Sequence, residues 1–202
     1  MGFLNALFGR SRPTPLRTEG LFAISTAQIT LEVSLRLKPA NQAAICFKSV
    51  GSARFAEACD NLTALLKVRA HDSASQVTGF EDEYGFQWFI VSTQTFEDTV
   101  TAAHMVTEEL RSQGFGEQLL AAVFRFLDQS AVESGGRERT VYWVYNFKRG
   151  RYYPFVPRPG APVGGDNSRD NPYELRLLSV MEKELPIEKE LDRWYALWGL
   201  PL

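Results

Sequence analysis

His104 and Glu108 stand four residues apart in "FEDTVTAAHMVTEELRS", on one face of a predicted helix, where an imidazole and a carboxylate can share a metal ion. Two ligands do not close a site and HExxH is absent, so an ordinary helix surface is the expected role. His71, beside Asp72, reads as a polar helix end. "FEDEYG" gathers Glu81, Asp82 and Glu83 at a predicted hairpin tip, where a solvated turn is expected. GxSxG does not occur, nor does GxxxxGK followed by Ser or Thr. "GGDNSRDN" carries Gly164 and Gly165 without the lysine and following helix of a phosphate loop. Cys46 and Cys59 have no CxxC neighbour, which argues against zinc and thioredoxin-type chemistry. No nucleophile, base and orienting group converge. The expectation is a protein with no catalytic residues, cofactor or metal, an enzyme being kept as a third reading.

The densest chemistry lies in "NFKRGRYYPFVPRPG". Lys148, Arg149 and Arg151 adjoin Tyr152, Tyr153 and Phe155 around Gly150. One reading is a solubilised hairpin turn whose aromatics enter the core. Another is a contact surface for an acidic partner or for anionic headgroups, each cation adding about 1 kcal/mol near such a membrane. A third is nucleic-acid binding over 148–155 by base stacking. Trp194 and Trp198, on one predicted helical face with Leu191, offer core packing or a docking patch of the kind tryptophan favours.

The N-terminal "MGFLNALFGRSRPTP" sets Phe3, Leu4, Leu7 and Phe8 on one side of a short helix, with Arg10 and Arg12 following and Pro13 and Pro15 ending it. An apolar face beside cations suits a membrane interface or a partner; packing on the domain is the plain alternative. Residues 1–19 read as this amphipathic segment and its linker, and 20–202 as one domain. No apolar run reaches the roughly 18 residues that span a bilayer, and nothing resembles a secretory signal.

Elements that would position these groups follow from periodicity. "ITLEVSLRLK" alternates strictly through Ile29, Leu31, Val33, Leu35 and Leu37, favouring a strand. A helix capped by Ser25 or Thr26 competes. A strand is expected over 43–50, then a helix capped by Ser52 with Phe55, Cys59, Leu62 and Leu66 at helical spacing. A hairpin turns near 83–85. A helix over 96–113 turns Val100, Ala103, Val106 and Leu110 inward and ends at Gly114. Strands follow at "QLLAAVFRFLD", "TVYWVYNF" and "YYPFVP", then a loop over 158–172. Asn171 reads as the cap of a helix with Pro172 and Glu174 in its first turn and Leu175, Leu178, Met181 and Leu185 as its stripe. Residues 187–198 read as a last helix. The fold class is α+β, a single domain with a mainly antiparallel sheet and helices packed on one side.

The chain has 202 residues, 45% hydrophobic and 23% charged, with net charge −2 and pI near 5.8. This is globular composition, and an acidic balance argues against general nucleic-acid binding. "CFKSV", "DEYGFQWFIV", "GFGEQLLAAVFRF", "YNFKRGRYYPFVPRPG" and "LPIEKELDRWYALWGLPL", in this order after "MGFLNALFGR", resemble PspAB, the PspA-associated protein family. The resemblance implies a part in the phage-shock type of envelope stress response. The implied partners are a PspA homologue and an HtpX-like membrane protease. It supplies no catalytic residues. What it implies is a cytoplasmic accessory protein, peripheral at the inner membrane face, acting by protein–protein contact.

Overall fold

The computed structural model describes residues 16–73, 76–130, 135–136, 138–158, 160 and 168–202, with side chains 66–73 left aside. The N-terminal segment bearing Phe3, Leu4, Leu7, Phe8, Arg10 and Arg12 lies outside the described residues, as does most of the loop after Arg158.

Among the described residues two short helices come first, α1 (Ala23–Thr26) and α2 (Gln28–Leu35). Then come β1 (Leu37–Lys48), α3 (Ala53–Ser73), β2 (Gln76–Glu81), β3 (Phe86–Ser92), α4 (Phe96–Ser112), β4 (Leu119–Asp128), β5 (Arg139–Asn146), β6 (Arg151–Phe155) and α5 (Asn171–Met181). The six strands form one antiparallel sheet in the order β2-β3-β1-β4-β5-β6. The α+β class read from the sequence is the fold observed.

Directly opposed residues of an antiparallel pair share a face. Ile45 opposes Ala122, and Phe124 opposes Trp143. This face meets the helices: Phe96 of α4 touches Phe124 and Phe126, with ring centroids 6.0 and 5.1 Å apart, and Phe55 of α3 meets Phe47 at 5.9 Å. The opposite face, which includes Cys46, Val144, Tyr153 and Phe155, is covered by the C-terminal segment: Trp194 stacks on Tyr153 at 6.3 Å and Trp198 meets Phe155 edge-on at 5.1 Å.

The strand reading of 29–37 is corrected. Residues 28–35 are helical, Arg36 closes the helix at φ 57° with its N–H on the Leu31 carbonyl, and β1 starts at Leu37. The alternation misled because this helix has two apolar faces. Leu31 and Leu35 point into the core, whereas Ile29 and Val33 point outward. Both edges of β1 are already taken by β3 and β4. Ser52 caps α3 as expected, its Oγ accepting the Phe55 N–H at 3.2 Å.

The last third needs three corrections. Asp170, not Asn171, caps α5 by accepting the Tyr173 N–H at 3.3 Å. The buried stripe of α5 runs through Glu174, Leu177 and Met181, leaving Leu175 exposed and Leu178 half-buried. Residues 187–198 are not a helix. Tyr152 N–H donates to the Pro186 carbonyl and Glu188 N–H to the Tyr152 carbonyl, both at 2.8 Å, so this strap lies along the β6 edge. The strap gives that edge one donor, the Glu188 N–H, and one acceptor, the Pro186 carbonyl; Trp194 and Trp198 lie on the sheet face beyond it, and only a short 3-10 turn forms at Leu191–Arg193. At the other end, residues 16–19, read as linker, are tied into the body. Leu16 packs on the core, Arg17 N–H donates to the Phe147 carbonyl at 3.0 Å, and the Tyr145 hydroxyl donates to the Arg17 carbonyl at 2.9 Å.

Candidate functional site: a protein-contact face

The cationic turn is an internal clasp. Asn146 Oδ1 accepts the N–H groups of Lys148 and Arg149 at 3.0 and 3.2 Å, and Gly150 takes φ 66°. A Cβ on Gly150 would lie 2.9 Å from Arg17 Cβ, so close approach as well as the turn calls for glycine. Arg149 donates through Nε to Glu188 at 2.6 Å and through Nη2 to Glu190 at 2.9 Å. Those bonds, to Glu188 above all, raise its pKa further. Arg151 donates to the Ile187 carbonyl at 3.3 Å. Burial lowers the pKa of Lys148, against Glu117, which raises it.

The aromatics beside the turn are interior. Tyr152 is fully buried, its hydroxyl donating to the Leu21 carbonyl at 2.5 Å, and burial pushes its pKa well up. Tyr153 and Phe155 are buried too. Base stacking needs exposed rings, and these three offer none. Trp194 is 7% exposed, its Nε1 donating to the Glu188 carbonyl at 2.8 Å. Trp198 is half-buried against Phe155. The proposed partner surface of Lys148, Arg149, Arg151, Tyr152, Trp194 and Trp198 is therefore corrected for Tyr152 and Trp194, whose side chains are buried, Tyr152 against Tyr145 and the Leu21 carbonyl and Trp194 on Tyr153.

His104 and Glu108 do not combine. The Phe22 ring lies on His104 with centroids 4.6 Å apart, and Glu108 accepts from Arg111 Nε at 2.9 Å. Among the described residues no group of three or more His, Cys, Asp or Glu is placed to hold a metal. The "FEDEYG" tip is held by one carboxylate: Asp82 accepts the Tyr84 and Phe86 N–H groups and the Trp88 indole, each at 2.9 Å.

A polar cluster not evident in the sequence lies where β4 meets α5. Asp128, 1% exposed, accepts the Ser130 N–H at 2.9 Å and its hydroxyl as well. Arg139 sits 3.7 Å from Asp128 and 3.4 Å from Asp170, over the Tyr173 ring at 4.4 Å. A serine beside a buried carboxylate suggests a nucleophile, but this carboxylate also takes the serine's own N–H, which makes a turn that closes β4. Nearby, Arg169 donates to Glu174 at 2.7 Å, to the Trp194 carbonyl at 2.6 Å and to the Pro154 carbonyl at 3.3 Å. One guanidinium thus joins α5, β6 and the strap.

Two of the clefts on the surface are lined by described residues. One, of about 550 Å³, is lined by Gln28, Glu32, Arg36, Lys38, Asn41 and Thr95 among others. The other, of about 470 Å³, lies between α5 and the strap, beside Leu175, Leu191 and Trp198. Neither brings a nucleophile to a base.

The outward face of α1–α2 is different. Phe22, Thr26, Ile29 and Val33 are all exposed there, at successive separations of four, three and four residues. Ile29 is 75% exposed and Val33 72%, values normal for lysine and unusual for two adjacent branched apolar side chains. Phe22, 42% exposed, is steadied by His104 beneath it.

These features define an α+β domain with an exposed apolar stripe on α1–α2, and no catalytic constellation is assembled among the described residues. The family described as PspA associated protein B matches residues 1–202, and the chain belongs to this PspAB family. No curated protein and no solved structure matches it. Family membership links the chain to PspA in an accessory capacity. Among the described residues, no helix is long and apolar enough to cross a membrane.

Proposed function

We propose that the protein is a non-enzymatic accessory protein that binds a PspA homologue at the inner membrane face through the outward stripe of α1–α2. The observation that carries this reading is the exposure of Ile29 and Val33 on a helix whose inner face, Leu31 and Leu35, already satisfies the core. Covering Phe22, Ile29 and Val33 yields about 4 to 9 kcal/mol gross. Association itself costs about 4 to 15 kcal/mol. The stripe thus supports a reversible contact and needs polar pairs around it.

The N-terminal segment supplies the membrane part of the proposal, by Phe3, Leu4, Leu7 and Phe8 with Arg10 and Arg12. An HtpX-like protease is a second proposed partner, supported by the family resemblance. A cytoplasmic, peripheral location accords with both contacts.

The test is capture of the PspA homologue from membrane-stressed cells by tagged wild type and by Ile29→Gln/Val33→Gln. Wild type should retain PspA and the double variant at least fivefold less, with unchanged melting. Equal capture by both would remove the stripe from the interaction.

A further inference from the structure

The stripe has the geometry of a helix–helix seam. Separations of four, three and four residues bring Phe22, Thr26, Ile29 and Val33 to one line, the spacing by which one helix receives the knobs of another. Ala27 N–H bonds the Ala23 carbonyl and Leu31 N–H the Ala27 carbonyl, both at 3.0 Å, so the line runs through the junction of α1 and α2. From Phe22 to Val33 it measures about 17 Å, three turns. Ile24, Ala27 and Leu31 anchor the opposite side at 0% exposure, so the line is set on a fixed support.

Charges flank the seam unevenly. Glu32 lies beside Val33, its carboxylate accepting the Gln28 amide at 2.7 Å. Glu184 reaches α2 from beyond α5, accepting from Thr30 Oγ1 at 3.3 Å. Glu19 is exposed just ahead of Phe22, and Arg36 is the cation at the far end. Carboxylates on both sides favour basic groups opposite them. They repel anionic headgroups, and a second copy would set glutamates against glutamates. In the N-terminal segment the apolar residues Phe3, Leu4, Leu7 and Phe8 fall within six positions of the sequence, half the twelve that the seam spans.

We infer that the α1–α2 seam receives one amphipathic helix of a partner protein, with apolar residues at alternating three- and four-residue spacing and basic residues beside them. This rests on the proposed function and names the chemistry of the partner at the same face.

The probe is a labelled 21-residue helical peptide with leucines at that spacing and lysines flanking them, titrated into the full chain and followed by anisotropy. A glutamate-flanked version and a scrambled version are the controls. Wild type should bind the lysine peptide at least tenfold more tightly than either control, and at least tenfold more tightly than Ile29→Gln/Val33→Gln does. Equal binding by the double variant overturns the inference, as does equal binding of the glutamate peptide. Three other outcomes overturn it by naming another occupant. These are a dimer in light scattering that the double variant abolishes, a tenfold gain in peptide affinity on deleting residues 2–12, and anionic-vesicle binding that depends on Ile29 and Val33. If PspA capture needs the seam but no peptide binds, the helix assignment alone falls. If the peptide binds and PspA capture ignores the seam, the proposed function falls instead.

Discussion

Arg169 shows how much one side chain can hold. Its partner Glu174 is almost wholly buried and also accepts the Val156 N–H at 2.7 Å. Burial raises the Glu174 carboxyl, and Arg169 opposes that rise. Arg169→Ala would strand a buried carboxylate and free the Trp194 carbonyl, so a loss of about 3 to 5 kcal/mol is expected in denaturant melts. Glu174→Gln in the same assay should cost less, because the amide oxygen can still accept from Arg169, which keeps the Trp194 and Pro154 carbonyls and is less deeply buried than Glu174. The Arg149 pair carries a pH signature. Burial pushes the Glu188 carboxyl up, but Arg149 and the Glu190 N–H outweigh it and the net pKa is lowered. A lowered carboxyl stabilises the fold above the ordinary glutamate value of about 4.3, and the contribution is lost as pH falls through the lowered value. Arg149→Met should therefore be less stable than wild type at pH 7, by about 1 kcal/mol after discounting a partly exposed pair. The gap should close as pH falls below 4. A gap constant from pH 7 to pH 3 would show that the pair contributes nothing.

At the scale of the element, α2 separates packing from contact. Leu31→Gln buries an amide at a position with 0% exposure in the core and removes a core side chain, an expected loss of about 3 to 5 kcal/mol. Ile29→Gln and Val33→Gln change only the outer face and should move stability by no more than about 0.5 kcal/mol each. Thermal melts of the three variants would check this division. A large loss from Ile29→Gln would mean that the outer face is core to something inside the chain. Helix α4, by contrast, was legible from one stripe. Val100, Ala103, Val106 and Leu110 are all buried, and its other side is polar. For α2 the alternation satisfied a strand and a two-faced helix equally, and the burial of Ile24, Ala27, Leu31 and Leu35 along one side, at helical spacing, distinguishes the helix.

At the scale of the whole molecule, the proposed membrane contact has a direct test. Deleting residues 2–12 should reduce flotation with anionic liposomes, and Leu7→Asp should do nearly as much, since a charge on the apolar face opposes burial. High salt should weaken the arginine part and leave the apolar part. The body begins to pack at Leu16, so melting should be unchanged by the deletion. Unchanged flotation would sink the recruitment idea, and a large drop in melting temperature would make those residues core. By itself the sequence determined the α+β class, the hairpin at Asp82, helices α3 and α4 and the central strands, because each is marked by a local period with its own cap or turn. It also named the family, through motifs spread along the whole chain. Only the tertiary structure decided that Lys148 to Phe155 is a clasp, because its partners, Glu188 and Glu190, are about forty residues away. The same holds for the strap. Residues 187–198 read as a helix by their period, but Ile187 and Glu188 pair with the edge of β6 and Trp194 stacks on Tyr153, and that edge and face exist only once the sheet is assembled.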